Sequence, residues 1–287
     1  MCCCNSYLGG ALNNPGATAA DWPAFRVENA SYLYNGIAAL QNLSLDIHRG
    51  ERIALLGANG SGKSTLLLLM AGLRFADRGA VRFFGQELSS KVLEDAEFFY
   101  SFRRRVAIVF QNPDVQLFNA SVFDEVAFGP LQLGWPKARV RERVAETLAH
   151  MLIESLAGRA PHRLSIGEKK RVALASVLVI DPDVLILDEP IASLDPASQN
   201  GIVDLLASWA GSGRTVITAT HDLSGLESIA DRCIVLKEGS VAADNVPYAI
   251  LHDANLLETT GLLRPHGHRH SVTPGLPHGH LHRDDLA

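Results

Sequence analysis

The chain has 287 residues, which is long enough to bury a sizeable hydrophobic core as one large domain or two small ones. Hydrophobic residues make up 47% of the chain and charged residues 20%, as in ordinary globular proteins. The net charge of −5 argues against a general nucleic-acid-binding protein, which usually carries a basic bias. No apolar run approaches the ~20 residues needed to cross a bilayer, so we expect no membrane-spanning helix.

The first segment of the chain gives few structural signals. Residues 1–23 are rich in Gly, Ala, Asn and Pro without periodicity, so we expect them to be disordered. Three of the four cysteines, Cys2, Cys3 and Cys4, are adjacent and cannot form the spaced disulfide framework of a small secreted fold. This cysteine usage, without a signal-peptide apolar core, favours a reducing, cytoplasmic setting. Metal binding or lipidation of the triplet is the alternative to an unstructured end.

Short alternating segments come next. Residues 25–34 and 43–47 alternate between apolar and polar side chains, and Asn35 and Gly36 between them are typical of a tight turn. A second turn leads into an apolar strand at residues 53–56. This pattern predicts a small antiparallel sheet beside the element that follows.

A glycine-rich segment joins the strand at residues 53–56 to an apolar helix at 66–70. Glycines let the backbone turn tightly with its N–H groups pointing inward, and the helix N-terminus adds partial positive charge. The spacing G-x-x-x-x-G-K-S is the P-loop pattern, in which lysine reaches the terminal phosphates and the serine hydroxyl holds Mg²⁺. A glycine-rich turn without a ligand is the alternative. The candidate nucleotide-binding residues are Gly57, Ala58, Asn59, Gly60, Ser61, Gly62, Lys63, Ser64 and Thr65.

The middle of the chain is mostly helical. A short strand is expected at residues 81–84 and an apolar, buried strand at 106–110, which Gln111 directly follows. Helical periodicity then dominates, which predicts a helical insertion into an α/β core at about residues 112–180. The expected helices are residues 121–128, 137–150 and 165–180.

Two further predicted strands are followed by polar residues. Asp188 and Glu189 follow the strand at residues 183–187, and His221 follows the strand at 215–220. Strands that alternate with helices imply a parallel sheet, whose ligands bind at the carboxyl ends of the strands. The remaining expected elements are helices at residues 196–210 and 224–230 and a strand at 233–236.

The polar residues at these strand ends suit the hydrolysis of a nucleoside triphosphate. Ser64 and Asp188 offer hard oxygen ligands to Mg²⁺, and the amide of Gln111 can reach the metal and water. Glu189 is placed to accept a proton from the attacking water, and His221 to hydrogen-bond the γ-phosphate. The alternatives are a helix cap for the Asp-Glu pair and a structural role for the histidine.

A second candidate anion site opens the helix at residues 165–180. It contains Ser165 and Gly167 at the start of that helix, where backbone N–H groups and the helix dipole favour a phosphate. One chain holds only one set of phosphates. A second phosphate-facing site therefore suggests a dimer in which each nucleotide lies between two subunits.

Together these motifs resemble those of ABC-transporter ATP-binding subunits over roughly residues 25–245. Walker A is residues 57–65, and Walker B is 184–189. The signature motif reads LSIGE at 164–168 in place of the commoner LSGGQ, and residues 193–195 resemble the D-loop. The resemblance implies that the chain binds ATP and Mg²⁺ and hydrolyses ATP.

The resemblance also assigns roles to individual residues. It places Tyr34 where the family has an aromatic residue that stacks on adenine, with Tyr32 as the less favoured candidate. It implies catalysis by Lys63, Gln111, Glu189 and His221, and Mg²⁺ binding by Ser64, Gln111 and Asp188. Ser165, Gly167 and Glu168 are expected to contact ATP bound by the other subunit.

Two positions depart from the family pattern. Ile166 replaces a glycine of the signature motif, and Ile191 stands where a threonine is usual after Asp-Glu-Pro. Neither change removes a catalytic group.

Residues 110–118, 126–130 and 164–175 are similar to the energy-coupling-factor ATPases of cobalt and nickel importers. That subfamily implies three partners: a second ATPase subunit (an identical copy or a paralogue), a transmembrane coupling protein and a substrate-specific membrane component. In it, the segment after the glutamine forms a groove for a helix of the membrane partner. Exposed apolar side chains would suit such a groove, and a place in the core is the alternative. The candidates are Leu117, Phe118 and Val122.

The end of the chain is rich in histidine. Six of the eleven histidines form two H-x-H-x-H runs among Gly and Pro residues. Alternating imidazoles suit borderline cations such as nickel, cobalt or zinc, and a low-complexity tail without a ligand is the alternative. These residues are His266, His268, His270, His278, His280 and His282.

We therefore expect an α/β fold with a P-loop NTPase core of mostly parallel sheet and flanking helices, a small antiparallel β subdomain and a helical signature subdomain. The ATPase domain should span residues 24–250, with a C-terminal extension at 251–287. The expected function is ATP hydrolysis that energises a membrane importer, for nickel or cobalt ions, at the cytoplasmic face of the cell membrane. The alternatives are a vitamin-type energy-coupling-factor importer, a soluble ABC ATPase outside transport, and a metal-storage or chaperone protein that uses the histidine tail.

Overall fold

A computed structural model describes residues 22–263. The expectations for residues 1–21, including the cysteine triplet, and for the histidine-rich tail fall outside this range. The strands between residues 22 and 263 are β1 (Phe25–Tyr34), β2 (Ile37–Ile47), β3 (Arg52–Leu56), β4 (Arg78–Phe83), β5 (Gln86–Glu87), β6 (Val106–Val109), β7 (Val184–Asp188), β8 (Thr215–Thr220), β9 (Arg232–Lys237) and β10 (Ser240–Asn245).

Helices of very different lengths connect and cover these strands. Several begin at a side chain that accepts a backbone N–H of the first turn, as at Ser121, Asp95 and Asp195. The helices in the described part of the chain are α1 (Lys63–Met70), α2 (Ser90–Leu93), α3 (Ala96–Arg105), α4 (Val122–Gln132), α5 (Lys137–His150), α6 (Ile166–Leu178), α7 (Pro196–Ala207), α8 (Leu226–Ile229), α9 (Pro247–Leu251) and α10 (Ala254–Thr259).

The larger of two sheets has six strands in the order β10-β9-β3-β8-β7-β6. Strands β9, β3, β8, β7 and β6 run parallel, and β10 pairs antiparallel with β9 at one edge. The carboxyl ends of β3, β6, β7 and β8 therefore meet at one edge of the sheet, where ligands bind in folds of this kind. The predicted α/β class with a mostly parallel sheet is confirmed.

The smaller sheet is antiparallel throughout, in the order β2-β1-β4-β5. Strands β1 and β2 form a hairpin whose turn is Asn35 and Gly36, both with positive φ. Glycine and asparagine adopt this left-handed conformation at little cost. The predicted antiparallel subdomain is therefore present, and β2 begins several residues earlier than the sequence indicated.

The large sheet is buried on both faces, which explains its continuous apolar strands. In β3, Ile53 and Leu55 pack with the small sheet and α1, whereas Ala54 and Leu56 pack on the opposite face with α6 and its neighbours. The side chains alternate between two cores because successive residues of a strand point to opposite faces.

The helical region lies between β6 and β7 and is built from α4, α5 and α6, with short 3₁₀ turns between them. Its apolar residues join the core on one face of the large sheet. These helices occupy residues 122–178, inside the range of about 112–180 expected from the sequence.

The packed fold runs on past residue 250, where we expected the ATPase domain to end. Helix α10 buries Leu257 in the core, and Leu262 and Leu263 pack against the same cluster. None of the helices between residues 22 and 263 combines the length and the apolar character that a bilayer crossing requires.

Candidate functional site

The P-loop lies between β3 and α1, and its glycines have a backbone that other residues rarely adopt. Gly57 and Gly62 have φ of 148° and 106°. A Cβ on Gly57 would lie 2.4 Å from the carbonyl oxygen of Leu236, and one on Gly62 would lie 2.7 Å from that of Ala39. Both approaches are to backbone atoms that cannot move aside cheaply, so the glycines are needed for the shape of the loop.

Helix α1 begins at Lys63, so the N–H groups of its first turn have no acceptor inside the helix and favour an anion. The Lys63 ammonium is buried and donates to the carbonyl oxygens of Gly57 (2.6 Å) and Ala58 (3.2 Å). Burial lowers the pKa of Lys63, while the carboxylates of Glu189 and Asp188 oppose the shift. A phosphate at this position would meet both the helix N-terminus and a preorganised ammonium group.

A cleft of about 260 Å³ opens over the P-loop. Tyr34 reaches it from the β1–β2 hairpin and is 42% exposed, while Tyr32 contacts the Tyr34 ring edge-on without lining the cleft. The residues that line it are Tyr34, Ala39, Asn59, Gly60, Ser61, Gly62, Lys63, Ser64, Thr65, Gln111 and Glu189. The structure thus brings together residues that are far apart in the chain.

Asp188 ends β7 beside the first turn of α1. The Ser64 hydroxyl donates a hydrogen bond to Asp188, and burial is the main cause that raises the pKa of this carboxyl. Its Oδ1 atom is buried and has no hydrogen-bond partner among the described residues. An unpartnered buried carboxylate oxygen next to a serine hydroxyl suits Mg²⁺, which prefers hard oxygen ligands. Gln111 lines the same cleft, so the residues present fit the ion.

Glu189 follows Asp188 and lies almost fully buried, with 5% of its surface exposed. Its Oε1 atom is 2.8 Å from Nδ1 of His221 and 3.9 Å from Nζ of Lys63. Its Oε2 atom is buried without a partner among the described residues. One carboxylate oxygen is therefore held by the histidine, while the other is buried and keeps its full capacity to accept a hydrogen bond.

The signature residues lie apart from this cleft. Ser165 is the N-cap of α6 and forms a capping box with Glu168: the N–H of Ser165 donates to Glu168 (2.7 Å), and the N–H of Glu168 to the Ser165 hydroxyl (3.3 Å). These hydrogen bonds lower the pKa of Glu168. A Cβ on Gly167 would lie 2.9 Å from Oγ of Ser198, so glycine allows α6 to approach α7 closely. The expected contact with another subunit's ATP stays a prediction.

The two residues that depart from the family pattern differ in their exposure to solvent. Ile166 is exposed at the start of α6, and Ile191 is buried in the core, where an apolar side chain is suited.

The apolar residues expected on the surface after Gln111 divide between surface and core. Phe118 is 68% exposed, with its ring against that of Phe128. Leu117 is partly buried, and Val122 is fully buried in the core. The expectation of an exposed side chain was therefore wrong for Val122, because it opens α4 on its core-facing side.

The candidate metal-binding histidines of the tail lie outside the described residues. Within residues 22–263, no group of three or more His, Cys, Asp and Glu side chains is arranged to hold a metal ion. Metal binding by the histidine-rich tail therefore stays a prediction from the sequence.

The family model for the ABC transporter matches residues 40–192. The chain belongs to the ABC transporter family. It is 52% identical over 84% of its length, and over 96% of the relative, to a protein of Rhodobacter capsulatus named nickel import ATP-binding protein NikO. It is 40% identical over 83% of its length, and over 76% of the relative, to the energy-coupling factor transporter ATP-binding protein EcfA of Methanothermobacter thermautotrophicus.

The solved structure of CbiO1 from Clostridium perfringens, described as part of the ABC transporter complex CbiONQ, is similar to this ABC protein. It matches with a TM-score of 0.71 at 38% identity, covering 84% of this chain and 95% of CbiO1. The predictions of an ABC-type ATPase, of ATP binding and of the energy-coupling-factor resemblance are confirmed.

One residue of this ABC ATPase that sequence reasoning did not single out touches the site. Lys170 on α6 contacts the backbone of the segment that begins at Glu189. Lys170 lies two residues after the signature motif. The signal that the sequence offers is a lysine within the otherwise apolar face of α6.

Proposed function

We propose that this ABC ATPase hydrolyses ATP, with Mg²⁺, to energise the import of nickel or cobalt ions. The proposed cargo rests on the 52% identity to a nickel import ATP-binding protein over 84% of the chain. The six alternating histidines near the end of the chain agree with this cargo, because imidazole is a good ligand for borderline cations.

In the proposed reaction each residue of the cleft has a distinct task. The adenine ring stacks on Tyr34, and the P-loop N–H groups with Lys63 bind the β- and γ-phosphates. Glu189 accepts a proton from the water that attacks the γ-phosphate in line, the bond between the γ-phosphorus and the β-phosphate oxygen breaks, and ADP leaves. His221 holds the Glu189 carboxylate in place. Lys63 offsets the charge that develops on the phosphate oxygens.

Magnesium would be held by Ser64 and Asp188, with Gln111 within reach of the ion and its water. When bound, the ion would neutralise negative charge on the phosphate oxygens. The unpartnered oxygen of Asp188 is the observation that supports this assignment.

We also propose that two ATPase subunits act together. Ser165 and Gly167 lie at the N-terminus of α6, outside the cleft that holds the chain's own phosphates. A helix N-terminus of this kind favours an anion, and the nucleotide of a second subunit would supply one. The second subunit is an identical copy or a paralogue.

The membrane partner is proposed to dock beside Gln111. Phe118 is exposed there and is held in place by Glu125, whose buried carboxylate accepts the N–H groups of Phe118 (2.9 Å) and Asn119 (2.7 Å). An exposed aromatic pair fixed by a buried carboxylate suits a helix of a transmembrane coupling protein. The ATPase would then sit peripherally at the cytoplasmic face of the membrane, together with a substrate-specific component.

Uptake of radiolabelled Ni²⁺ and Co²⁺ tests the cargo. The chain and the membrane proteins that co-purify with it are expressed in bacteria that lack their own importers for these ions. We expect ion uptake with the wild-type chain and none with the Glu189→Gln variant. Ion uptake that is equal in the two strains would contradict the proposal, and accumulation of a vitamin instead would favour the vitamin-type importer.

A further inference from the structure

Lys170 is a buried lysine on α6 whose ammonium group is fully engaged. Only 4% of its surface is exposed. Its Nζ atom donates to three backbone carbonyl oxygens: those of Glu189 at 3.0 Å, Pro190 at 2.9 Å and Ala192 at 2.7 Å. An ammonium group has three donors, so each one has an acceptor, which offsets part of the cost of burying the charge; burial still lowers the pKa of Lys170 to about 8.

The segment that Lys170 holds has an unusual backbone. Glu189 has φ of 49° and Ser193 has φ of 63°, which is the left-handed region that non-glycine residues rarely adopt. Such conformations persist only where the surroundings hold them. The N–H of Glu189 donates to the carbonyl of Ala219 in β8, and Lys170 holds the carbonyl side of the same residue.

This backbone determines where the Glu189 carboxylate lies. The Oε1 atom of Glu189 lies 2.8 Å from Nδ1 of His221, and a rotation of the peptide planes that flank Glu189 would move the carboxylate, because the side chain is attached to them. Lys170 also lies on the helix whose N-terminus carries Ser165 and Gly167. A single side chain thus connects the signature helix with the segment of the carboxylate.

We infer that Lys170 is a positioning residue that holds the Glu189 carboxylate in its reactive place and connects the signature helix to it. The inference rests on the proposed role of Glu189 as the proton acceptor. We therefore expect Lys170 to affect the rate of hydrolysis but not the affinity for the nucleotide, because Lys170 does not line the cleft. Movement of α6 on contact with a second subunit would reach Glu189 through this ammonium group.

The test compares Lys170→Met with Lys170→Gln in the purified full-length protein at saturating MgATP. Methionine removes all three donors at similar length, whereas the glutamine amide keeps two. We expect kcat to fall by roughly 10- to 100-fold in Lys170→Met and less in Lys170→Gln, since a shift of about 1 Å in a catalytic group has that effect. The dissociation constant of ATP should stay within about twofold of wild type in both.

The exposed Lys137 at the start of α5 provides the matched control, Lys137→Met, with unchanged kcat. A kcat within twofold of wild type in Lys170→Met would overturn the inference. Equal losses of kcat and ATP affinity would also overturn it, because they indicate a general structural role. If Lys170→Met does not fold, Lys170→Gln decides: a kcat within twofold of wild type in that variant would overturn the inference as well.

The Glu189→Gln variant, measured in parallel, separates this inference from the function on which it rests. Turnover in Glu189→Gln equal to wild type would contradict the role of Glu189 itself. Lost turnover in Glu189→Gln together with normal turnover in Lys170→Met would overturn only the role of Lys170.

Discussion

At the residue scale, the central feature of the site is the Glu189 carboxylate, which has few side-chain partners. Glu189 has one oxygen at hydrogen-bond distance from His221 and the other buried without a partner among the described residues. The nearest cation of the P-loop, Lys63, is 3.9 Å away from the first of these oxygens. The carboxylate is thus oriented by His221 on one side and has a buried, unpaired acceptor oxygen on the other, and a general base needs such an acceptor.

The P-loop glycines give the first prediction at this scale. Gly57→Ala places a methyl group 2.4 Å from the carbonyl oxygen of Leu236 at a φ of 148°, so the loop must distort. We expect ATP binding, measured by fluorescence of a labelled nucleotide, to weaken at least tenfold, a change of about 1.4 kcal/mol or more.

Gly158→Ala is the matched control, because Gly158 is exposed and a Cβ there meets nothing within 4 Å. ATP binding that is equal in Gly57→Ala and Gly158→Ala would show that the loop does not hold the nucleotide.

At the scale of elements, the central strands are joined by an ion pair as well as by the sheet. Arg52 at the start of β3 is buried and donates to both carboxylate oxygens of Asp231, which precedes β9. It also donates to the carbonyl of Ser228 at the end of α8 (2.9 Å). The hydrogen bond from Arg52 is the main cause that lowers the pKa of Asp231. This pair fixes β9 against the strand that leads into the P-loop.

Arg52→Met should lower the free energy of unfolding at pH 7 by about 1–2 kcal/mol, since it removes charged hydrogen bonds whose Asp231 end is partly screened by solvent. Because the pKa of Asp231 is lowered in the folded state, its contribution is present above the ordinary carboxylate pKa of about 4 and is lost as the pH falls below it. The measurement is urea unfolding of both proteins at pH 7 and pH 3.

The difference between the two proteins should therefore shrink at pH 3. The control is Arg82→Met in β4 of the smaller sheet, where Arg82 pairs with Glu28 and Glu87 near the surface and a smaller loss is expected. A difference at pH 3 as large as that at pH 7 would contradict the assignment to the Asp231 pair.

The sequence predicted the elements that have a strong pattern and missed those without one. The parallel strands β6 and β8 are short segments rich in apolar and β-branched residues, and their bounds were predicted nearly to the residue. Strand β10 reads SVAADN, which is too polar and irregular to indicate a strand, and it forms because β9 offers a free edge. Helices α9 and α10 are short and depend on the core that they cover.

The same contrast holds within the site. Lys63, Asp188, Glu189 and His221 could be placed from the sequence because each follows a recognisable strand or motif. The contact of Lys170 could not, because its acceptors are backbone carbonyls that point toward it only through the left-handed turn at Glu189. No pattern in the sequence encodes that turn.

At the scale of the whole molecule, the chain combines an ATPase with a histidine-rich end. Helix α10 buries Leu257, and the last described residues pack on the core near the P-loop: a Cβ on Gly261 would lie 3.5 Å from Cβ of Ala58. The last described residues thus lie beside the P-loop, and the six histidines follow within the next twenty or so residues of sequence.

Truncation after Leu263 should separate ATP hydrolysis by the packed domain from metal binding by the histidine-rich tail. We expect the shortened chain to keep its melting temperature and its ATP turnover, because the packed residues remain, and to lose Ni²⁺ binding in isothermal titration calorimetry. Equal Ni²⁺ stoichiometry in the full-length and truncated chains would place the metal-binding residues elsewhere, and would argue against a storage or chaperone role for the tail.

The most direct measurement compares ATP binding with ATP turnover in Glu189→Gln. The change keeps the size of the side chain and removes its ability to accept a proton, so we predict ATP affinity within about twofold of wild type and a loss of turnover of at least 100-fold. The exposed Glu227 on α8 gives the control Glu227→Gln, with normal turnover. Turnover in Glu189→Gln equal to that of wild type would contradict hydrolysis through Glu189.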